Sequence, residues 1–236
     1  MNINYEFETI SAIATPLGAG GVGVIRLSGS DSFKIIEKIF SKKELQPGRI
    51  CHGWIIDNEK KIDEVIVLPF KNPNSYTGED VIEIQCHGGP KVVKQILDLT
   101  LKNGARLAQK GEFTKRAFLN KKLDLSQAEA VLDIIHAKTS NFAQKSANNL
   151  SGALAQQIKQ IKDSLFTLYS RIIAAVDFPE DVKEPEYSYL IEECQKNISN
   201  IERILKNANA SNIMRQGIKI AIAGCPNAGK SSLFNA

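Results

Sequence analysis

The chain has 236 residues, 43% hydrophobic and 24% charged, with a formal net charge of +4. These are ordinary globular proportions, enough for at least one sizeable core and for one to two domains. The mild positive charge permits nucleic-acid binding without arguing for it. The start, Met1-Asn2-Ile3-Asn4-Tyr5-Glu6, has neither a basic region nor an apolar core, so no secretory signal is read there. No apolar run approaches membrane length. Four cysteines without C-x-x-C spacing read as free thiols in a reducing compartment. A soluble, cytoplasmic protein is expected.

Residues 9–15 read as a first strand that Pro16 ends. Gly18-Ala19-Gly20-Gly21-Val22-Gly23 formally contains G-x-G-x-x-G. A dinucleotide site needs a helix to begin there. Residues 22–29 read instead as a β-branched strand, so the glycines make a tight connection between strands. Arg26 lies in that strand, with Ile25 and Leu27 directed to the opposite face. It reads either as a solvated arginine or as an anion clamp. Ser30 or Asp31 can cap a helix over about 32–40, with Phe33, Ile36 and Phe40 on one face. Strands are expected over 50–56 and 62–70 around the turn Asp57-Asn58-Glu59-Lys60. Residues 72–80 form a loop rich in side chains that can bond ligands.

Residues 81–86 alternate as a strand, Ile82, Ile84 and Cys86 inward and Glu83 and Gln85 outward. Pro90 opens a helix to about 102, stopped by Asn103-Gly104, and a short strand follows over 105–108. The pairs Cys51-His52 and Cys86-His87 raise the question of a metal. Neighbours on a strand point to opposite faces and the spacing fits no zinc motif, so buried thiols beside ordinary histidines are expected.

From Gly111 the pattern turns helical. A short helix over 111–120 is followed by a capping box, Ser126-Gln127-Ala128-Glu129, that opens a helix to about 139. One long stripe then runs through Ala147, Leu150, Leu154, Ile158, Ile161, Leu165, Leu168, Ile172 and Ala175. Asp177-Phe178-Pro179-Glu180-Asp181 breaks it; its acids read as a solvated junction rather than a metal site. A further helix over about 187–208 carries Leu190, Cys194, Ile198, Ile201 and Leu205, and Met214–Gly217 is the expected link onward. These stripes call for helical partners in an antiparallel bundle.

The last stretch, residues 218–223, is apolar and runs into Gly224-Cys225-Pro226-Asn227-Ala228-Gly229-Lys230-Ser231. This is G-x-x-x-x-G-K-S in the expected strand–loop–helix context. Glycines let consecutive amides face a phosphate, Lys230 brings charge to the β- and γ-phosphates, and the Ser231 hydroxyl suits Mg²⁺. Ala236 follows about one turn later, so the expectation is the start of a nucleotide-binding domain without its Walker B Asp, switch loop or base-recognition element.

The order Ala14-Thr15-Pro16, Gly20-Gly21-Val22-Gly23, Arg26-Leu27-Ser28-Gly29, Tyr76–Asp80, Cys86–Pro90, Gly111–Asn120, Lys122–Ala130 and Asp177–Glu180 resembles the MnmE (TrmE) family of tRNA-modification GTPases. The loop likewise resembles the G-x-P-N-x-G-K-S-[ST] form of that GTPase class. The resemblance implies an α+β N-terminal domain over 1–121 that binds 5-formyltetrahydrofolate or a related one-carbon folate and dimerises. It implies a helical-bundle domain over 122–216 and, over 217–236, the first strand and P-loop of an inserted α/β GTPase domain. Folate contacts would be Arg26, Glu83 and Lys122. Asn227, Ala228, Gly229, Lys230, Ser231 and Ser232 would bind GTP, with K⁺ on Asn227 and Mg²⁺ on Ser231. With an FAD-dependent MnmG-type partner, the family adds an aminomethyl-type group to carbon five of the wobble uridine of tRNA. No cysteine here matches the family's C-terminal cysteine motif. Two other classes remain open: a folate-dependent one-carbon transferase without GTP coupling, and a non-enzymatic folate-binding dimerisation module.

Overall fold

The computed structural model describes residues 8–216, 221–225 and 228–235. The chain divides into two units, Met1–Ala128 and Glu129–Ala236. The first is built on a six-stranded mixed sheet. Its strands are β1 (Ile10–Ile13), β2 (Val22–Ser28), β3 (Cys51–Asp57), β4 (Lys60–Phe70), β5 (Val81–His87) and β6 (Arg106–Leu107), in the order β3-β4-β5-β2-β1-β6. Only β1 and β6 run parallel; every other pairing is antiparallel. The β3–β4 hairpin turns through Asn58 and Glu59, both at positive φ, which matches the twist of a two-residue loop.

The helices α1 (Ser32–Ile39) and α2 (Pro90–Lys102) cover one face. Ile25, Leu27, Ile82, Ile84 and Val67 meet Ile35, Ile36, Ile39, Val93 and Ile96 in a single core. Strand alternation therefore leaves Arg26, Glu83 and Gln85 on the opposite face. The glycine run after β1 lies against the end of β5, where Gly20 donates to the Gly88 carbonyl at 3.3 Å and Gly88 to that of Gly21 at 3.4 Å. It is a strand connection, as its sequence suggests.

Two local readings change. The buried stripe of α1 is Ser32, Ile35, Ile36 and Ile39, while Phe33 is only partly covered. Asp31 stands at the N-cap position without a side-chain cap bond, because its carboxylate takes Lys34 at 2.8 Å. The second correction concerns α4 (Leu125–His136), which ends short of residue 139. Its capping box is two residues upstream of Ser126. Asp124 Oδ1 accepts from the Gln127 amide at 2.9 Å, and Gln127 Oε1 accepts from the Asp124 amide at 2.9 Å. Ser126 serves the box by donating its hydroxyl to Asp124 Oδ1 at 2.6 Å. An aspartate at N-cap with glutamine at N3 is the same reciprocal device with a charged acceptor.

In the second unit, α5 (Ser140–Leu150), α6 (Ala153–Asp177) and α7 (Tyr187–Gln216) pack together. The expected single long helix is two: it breaks at Ser151-Gly152, where Gly152 has φ +90, the left-handed conformation that ends helices. Helix α7 in turn runs past the expected end near 208, to Gln216, so Met214–Gln216 are helical rather than a linker; Gly217 lies outside the described residues. Asn197 of α7 donates to Ser164 Oγ of α6 at 2.9 Å, and Arg171 of α6 lies over the Tyr189 ring of α7 at 5.1 Å. These pairs run in opposite order, so the two helices are antiparallel. Much of the two apolar stripes is left uncovered, although Leu168 and Ala175 of α6 are buried. Ile158, Leu165 and Ile172 on α6 and Ile198, Ile201 and Leu205 on α7 are exposed, whereas polar Asn197 is buried. Periodicity finds an apolar face but not which neighbour covers it.

The Asp124 carboxyl sits below its ordinary value of 3.8: burial opposes ionisation, but bonds from the Ser126 hydroxyl and from the Gln127 and Ser126 amides outweigh it. The cap is therefore complete above about pH 4 and is lost as pH falls through the lowered native value. Asp124→Ala is expected to weaken the start of α4 by about 1 kcal/mol. Faster amide exchange at Ser126–Ala128 than in the wild type checks this.

Candidate functional site

On the uncovered face of the sheet, Arg26 and Glu83 are cross-strand partners in the β2–β5 register. Arg26 Nε donates to Glu83 Oε1 at 2.7 Å, and Nη2 reaches the same oxygen at 2.6 Å. Both side chains remain partly accessible, at 27% and 20%. Both Arg26 bonds fall on one carboxylate oxygen, so Glu83 Oε2 and Arg26 Nη1 stay uncommitted among the described residues. An acceptor and a donor then lie side by side on rigid strands.

A cavity of about 370 Å³ opens at this point, lined by Phe70, Asn74, Ser75, Tyr76, Val81, Glu83 and Lys122. Lys122 Nζ donates to the Pro73 carbonyl at 3.1 Å, so its ammonium is held at the rim by the 72–80 loop. The structure thus brings Glu83 and Lys122 into one cavity, with Arg26 joined to it through Glu83. Sequence reasoning missed Phe70, Tyr76, Val81 and the aromatic residue Phe113. The guanidinium of Arg26 lies 5.3 Å from the Tyr76 ring centroid and 5.7 Å from that of Phe113. Both rings belong to sequence blocks already singled out, Tyr76–Asp80 and Gly111–Asn120, but no local pattern says that they meet.

What holds the loop and α3 (Glu112–Leu119) over the sheet is a buried ionic cluster. Arg116, 1% exposed, donates to Glu79 Oε2 at 3.0 Å, to Glu112 Oε1 at 3.0 Å and to the Glu8 carbonyl at 2.8 Å. Ser28, fully buried on β2, donates to Glu79 Oε2 at 2.6 Å and so accepts from Thr77 at 2.7 Å. Arg106 also binds Glu112 through both terminal nitrogens, at 2.6 and 3.2 Å. The Arg106 guanidinium, more than any other group, holds the Glu112 carboxyl down at about 2; burial opposes the shift, and the Gln109 amide and Arg116 add to it. Asn120 at the end of α3 donates to the Thr77 carbonyl at 2.8 Å, and Tyr76 bonds Thr114 at 2.9 Å.

The histidines of the two Cys-His pairs have carboxylate partners: His87 Nδ1 lies 2.7 Å from Asp63, and His52 3.3 Å from Glu64. No metal-holding group of three or more His, Cys, Asp or Glu occurs among the described residues. The four cysteines are free. The Cys86 thiol is buried and pushed up to about 11, first by burial and then by the Asp63 carboxylate, so it is no nucleophile at neutral pH.

Of the terminal loop, Pro226 and Asn227 lie outside the described residues, as do residues 217–220. Residues 221–224 adopt no strand, a correction to the sequence reading; a strand needs a hydrogen-bonding neighbour, and none of the described segments pairs with them. Helix α8 (Lys230–Asn235) starts at the lysine as the motif requires. Lys230 Nζ donates to the carbonyls of Gly224 at 3.0 Å and Cys225 at 2.7 Å. Ala228, Gly229, Ser231 and Ser232 are exposed around it.

An α+β domain with a charged cavity, followed by a helical unit that leads into a phosphate-loop sequence, defines the class. Two family descriptions match it in order: "GTP-binding protein TrmE N-terminus" over residues 9–122 and "MnmE helical domain" over residues 125–230. The chain is 47% identical to the tRNA modification GTPase MnmE of Thermoanaerobacter pseudethanolicus, covering 98% of this chain and 52% of that protein. It is 43% identical to the MnmE of Thermotoga petrophila and 46% identical to that of Clostridioides difficile, in each case over 97% of this chain and 51% of the relative. The chain therefore belongs to the MnmE family over its N-terminal and helical regions. It spans about half the length of the curated relatives it matches.

Two tests follow from the cavity. Gly78 has φ +76, and an added Cβ would stand 3.1 Å from Lys122 Cγ and 3.2 Å from Asn120 Cβ. Gly78→Ala should destabilise the unit by roughly 1–2 kcal/mol, measured by denaturant titration. Glu112's folded value lies below its ordinary 4.5, so its stabilisation is complete above about pH 4.5 and is lost as pH falls towards 2. Glu112→Gln should flatten the stability–pH curve across that window.

Proposed function

We propose that this chain is the folate-binding and helical part of a tRNA wobble-uridine modification GTPase. The observation that carries the reading is the cavity where Glu83 and Lys122 converge beside Arg26. A one-carbon folate such as 5-formyltetrahydrofolate offers a pterin edge of donors and acceptors and a tail of carboxylates. Glu83 Oε2 suits a pterin N–H, Arg26 Nη1 a neighbouring carbonyl, and Lys122 an anionic group at the rim. The pterin meets one free carboxylate oxygen rather than two, since Arg26 already engages the other.

The names of the relatives support coupling to GTP and to tRNA. In the intact protein, Asn227 would ligate K⁺, Ser231 Mg²⁺ and Lys230 the phosphates. The lysine would exchange the two loop carbonyls it now bonds for phosphate oxygens, a stronger charge-assisted partner. The GTPase domain begins near residue 217 in this reading, after an N-terminal domain over 1–121 and a helical domain over 122–216. The exposed apolar faces of α6 and α7 are expected to be covered by the rest of the helical domain. Dimerisation through the N-terminal domain is supported by the open sheet face, where Val22 and Ile66 are exposed. An FAD-dependent MnmG-type partner completes the reaction, in the cytoplasm. No helix among the described residues is long and apolar enough to cross a membrane.

Calorimetry of the intact protein with 5-formyltetrahydrofolate tests the site. Glu83→Ala and Lys122→Ala are each expected to weaken binding about tenfold or more, on the order of 1.5 kcal/mol or above for a hydrogen bond to a charged group. Unchanged affinity in Glu83→Ala would remove it from the pocket. GTP turnover that is the same in K⁺ and Na⁺ buffers would contradict the assignment of Asn227.

A further inference from the structure

The two rings over Arg26 have no part in the contacts just assigned to folate, and they arrive from different segments. Tyr76 is on the 72–80 loop and Phe113 on α3. Their centroids lie 5.3 and 5.7 Å from the guanidinium carbon, within cation–π range. Each ring has its own anchor. The Tyr76 hydroxyl bonds Thr114 Oγ1 at 2.9 Å, and Phe113 directly follows Glu112, which is held by Arg106 and Arg116. The loop and α3 are tied together through Arg116, which binds Glu79 on one and Glu112 on the other. The spacing of the rings is thus set by a buried ion cluster whose members, Arg116, Glu79 and Glu112, do not line the cavity.

We propose that Tyr76 and Phe113 form an aromatic clamp that orients the Arg26 guanidinium for ligand binding, making them positioning residues of the folate site. The inference rests on the folate reading above. Glu83 fixes two nitrogens of Arg26 from within the sheet. A salt bridge alone leaves the guanidinium free to tilt about that carboxylate. The rings remove the tilt, so Nη1 meets the ligand without paying orientation entropy on binding. Ring faces attract the cation electrostatically, which aliphatic side chains of similar volume cannot do.

The test uses the intact protein, calorimetry with 5-formyltetrahydrofolate, and thermal unfolding in parallel. Phe113→Leu keeps most of the volume but removes the ring; it should weaken binding roughly three- to thirtyfold, with the unfolding midpoint little changed. Phe113→Tyr keeps the ring and should restore affinity to within about twofold of wild type. If Phe113→Leu fails to fold, Tyr76→Leu and Tyr76→Phe make the comparison from the loop side: Tyr76→Phe keeps the ring but loses its bond to Thr114 and should bind more tightly than Tyr76→Leu, though less tightly than wild type. Leucine variants that bind as tightly as wild type overturn the clamp while leaving the folate site standing. A wild-type protein that binds no folate overturns both, and the two failures are told apart by the wild-type titration alone.

Discussion

A full positive charge at 1% exposure is the constraint around which the first unit is arranged. A guanidinium is a full cation, and leaving such a charge buried without partners costs several kcal/mol. Its partners therefore have to come to it. Glu79 arrives from the 72–80 loop, Glu112 from the preceding turn of the same helix, and the Glu8 carbonyl from the entry to β1. Ser28 of β2 shares Glu79 with it. The cluster thus joins a strand, a loop and a helix that the hydrophobic core does not join, since α1 and α2 gather that core on the other side of the sheet.

The cavity is a by-product of that arrangement. Loop and helix meet over the open face at Arg26, the one cationic residue of β2, directly opposite Glu83. Lys121 takes a left-handed conformation just after α3, and the turn aims Lys122 back at Pro73. Strand residues supply fixed acceptor and donor groups, and loop residues supply the adaptable rim. This division also explains the closeness of Gly78 to Lys122: the loop approaches the α3 terminus so closely, and at a positive φ, that a side chain there would strain the backbone and press on Lys122 and Asn120.

The second unit shows where pattern reading runs out. The stripe from Ala147 to Ala175 is continuous in sequence, yet Gly152 interrupts the helix. Hydrophobic periodicity is blind to one left-handed residue. At α4 the cap lies at Asp124 rather than Ser126, because a carboxylate satisfies more of the helix start than a hydroxyl does. The contact between α6 and α7 includes the polar pair Asn197 and Ser164, which neither stripe contains.

Local chemistry was legible from the chain alone: the alternation of β2 and β5, with Arg26 and Glu83 each turned away from its own strand's apolar side, the glycine connection, and Pro90 at the start of α2. Each depends on neighbours within a few residues, where propensity and period act directly. The motif order carried the family in the same way, by its sequence rather than its shape. Tertiary structure alone decided that Tyr76 and Phe113 meet over Arg26, that Arg116 is buried, and that the α7 stripe faces outward. Those outcomes depend on which distant segments pack together, at separations such as the 57 residues between Arg26 and Glu83. The deciding energies are burial and ion pairing between surfaces, and no window of sequence contains both surfaces.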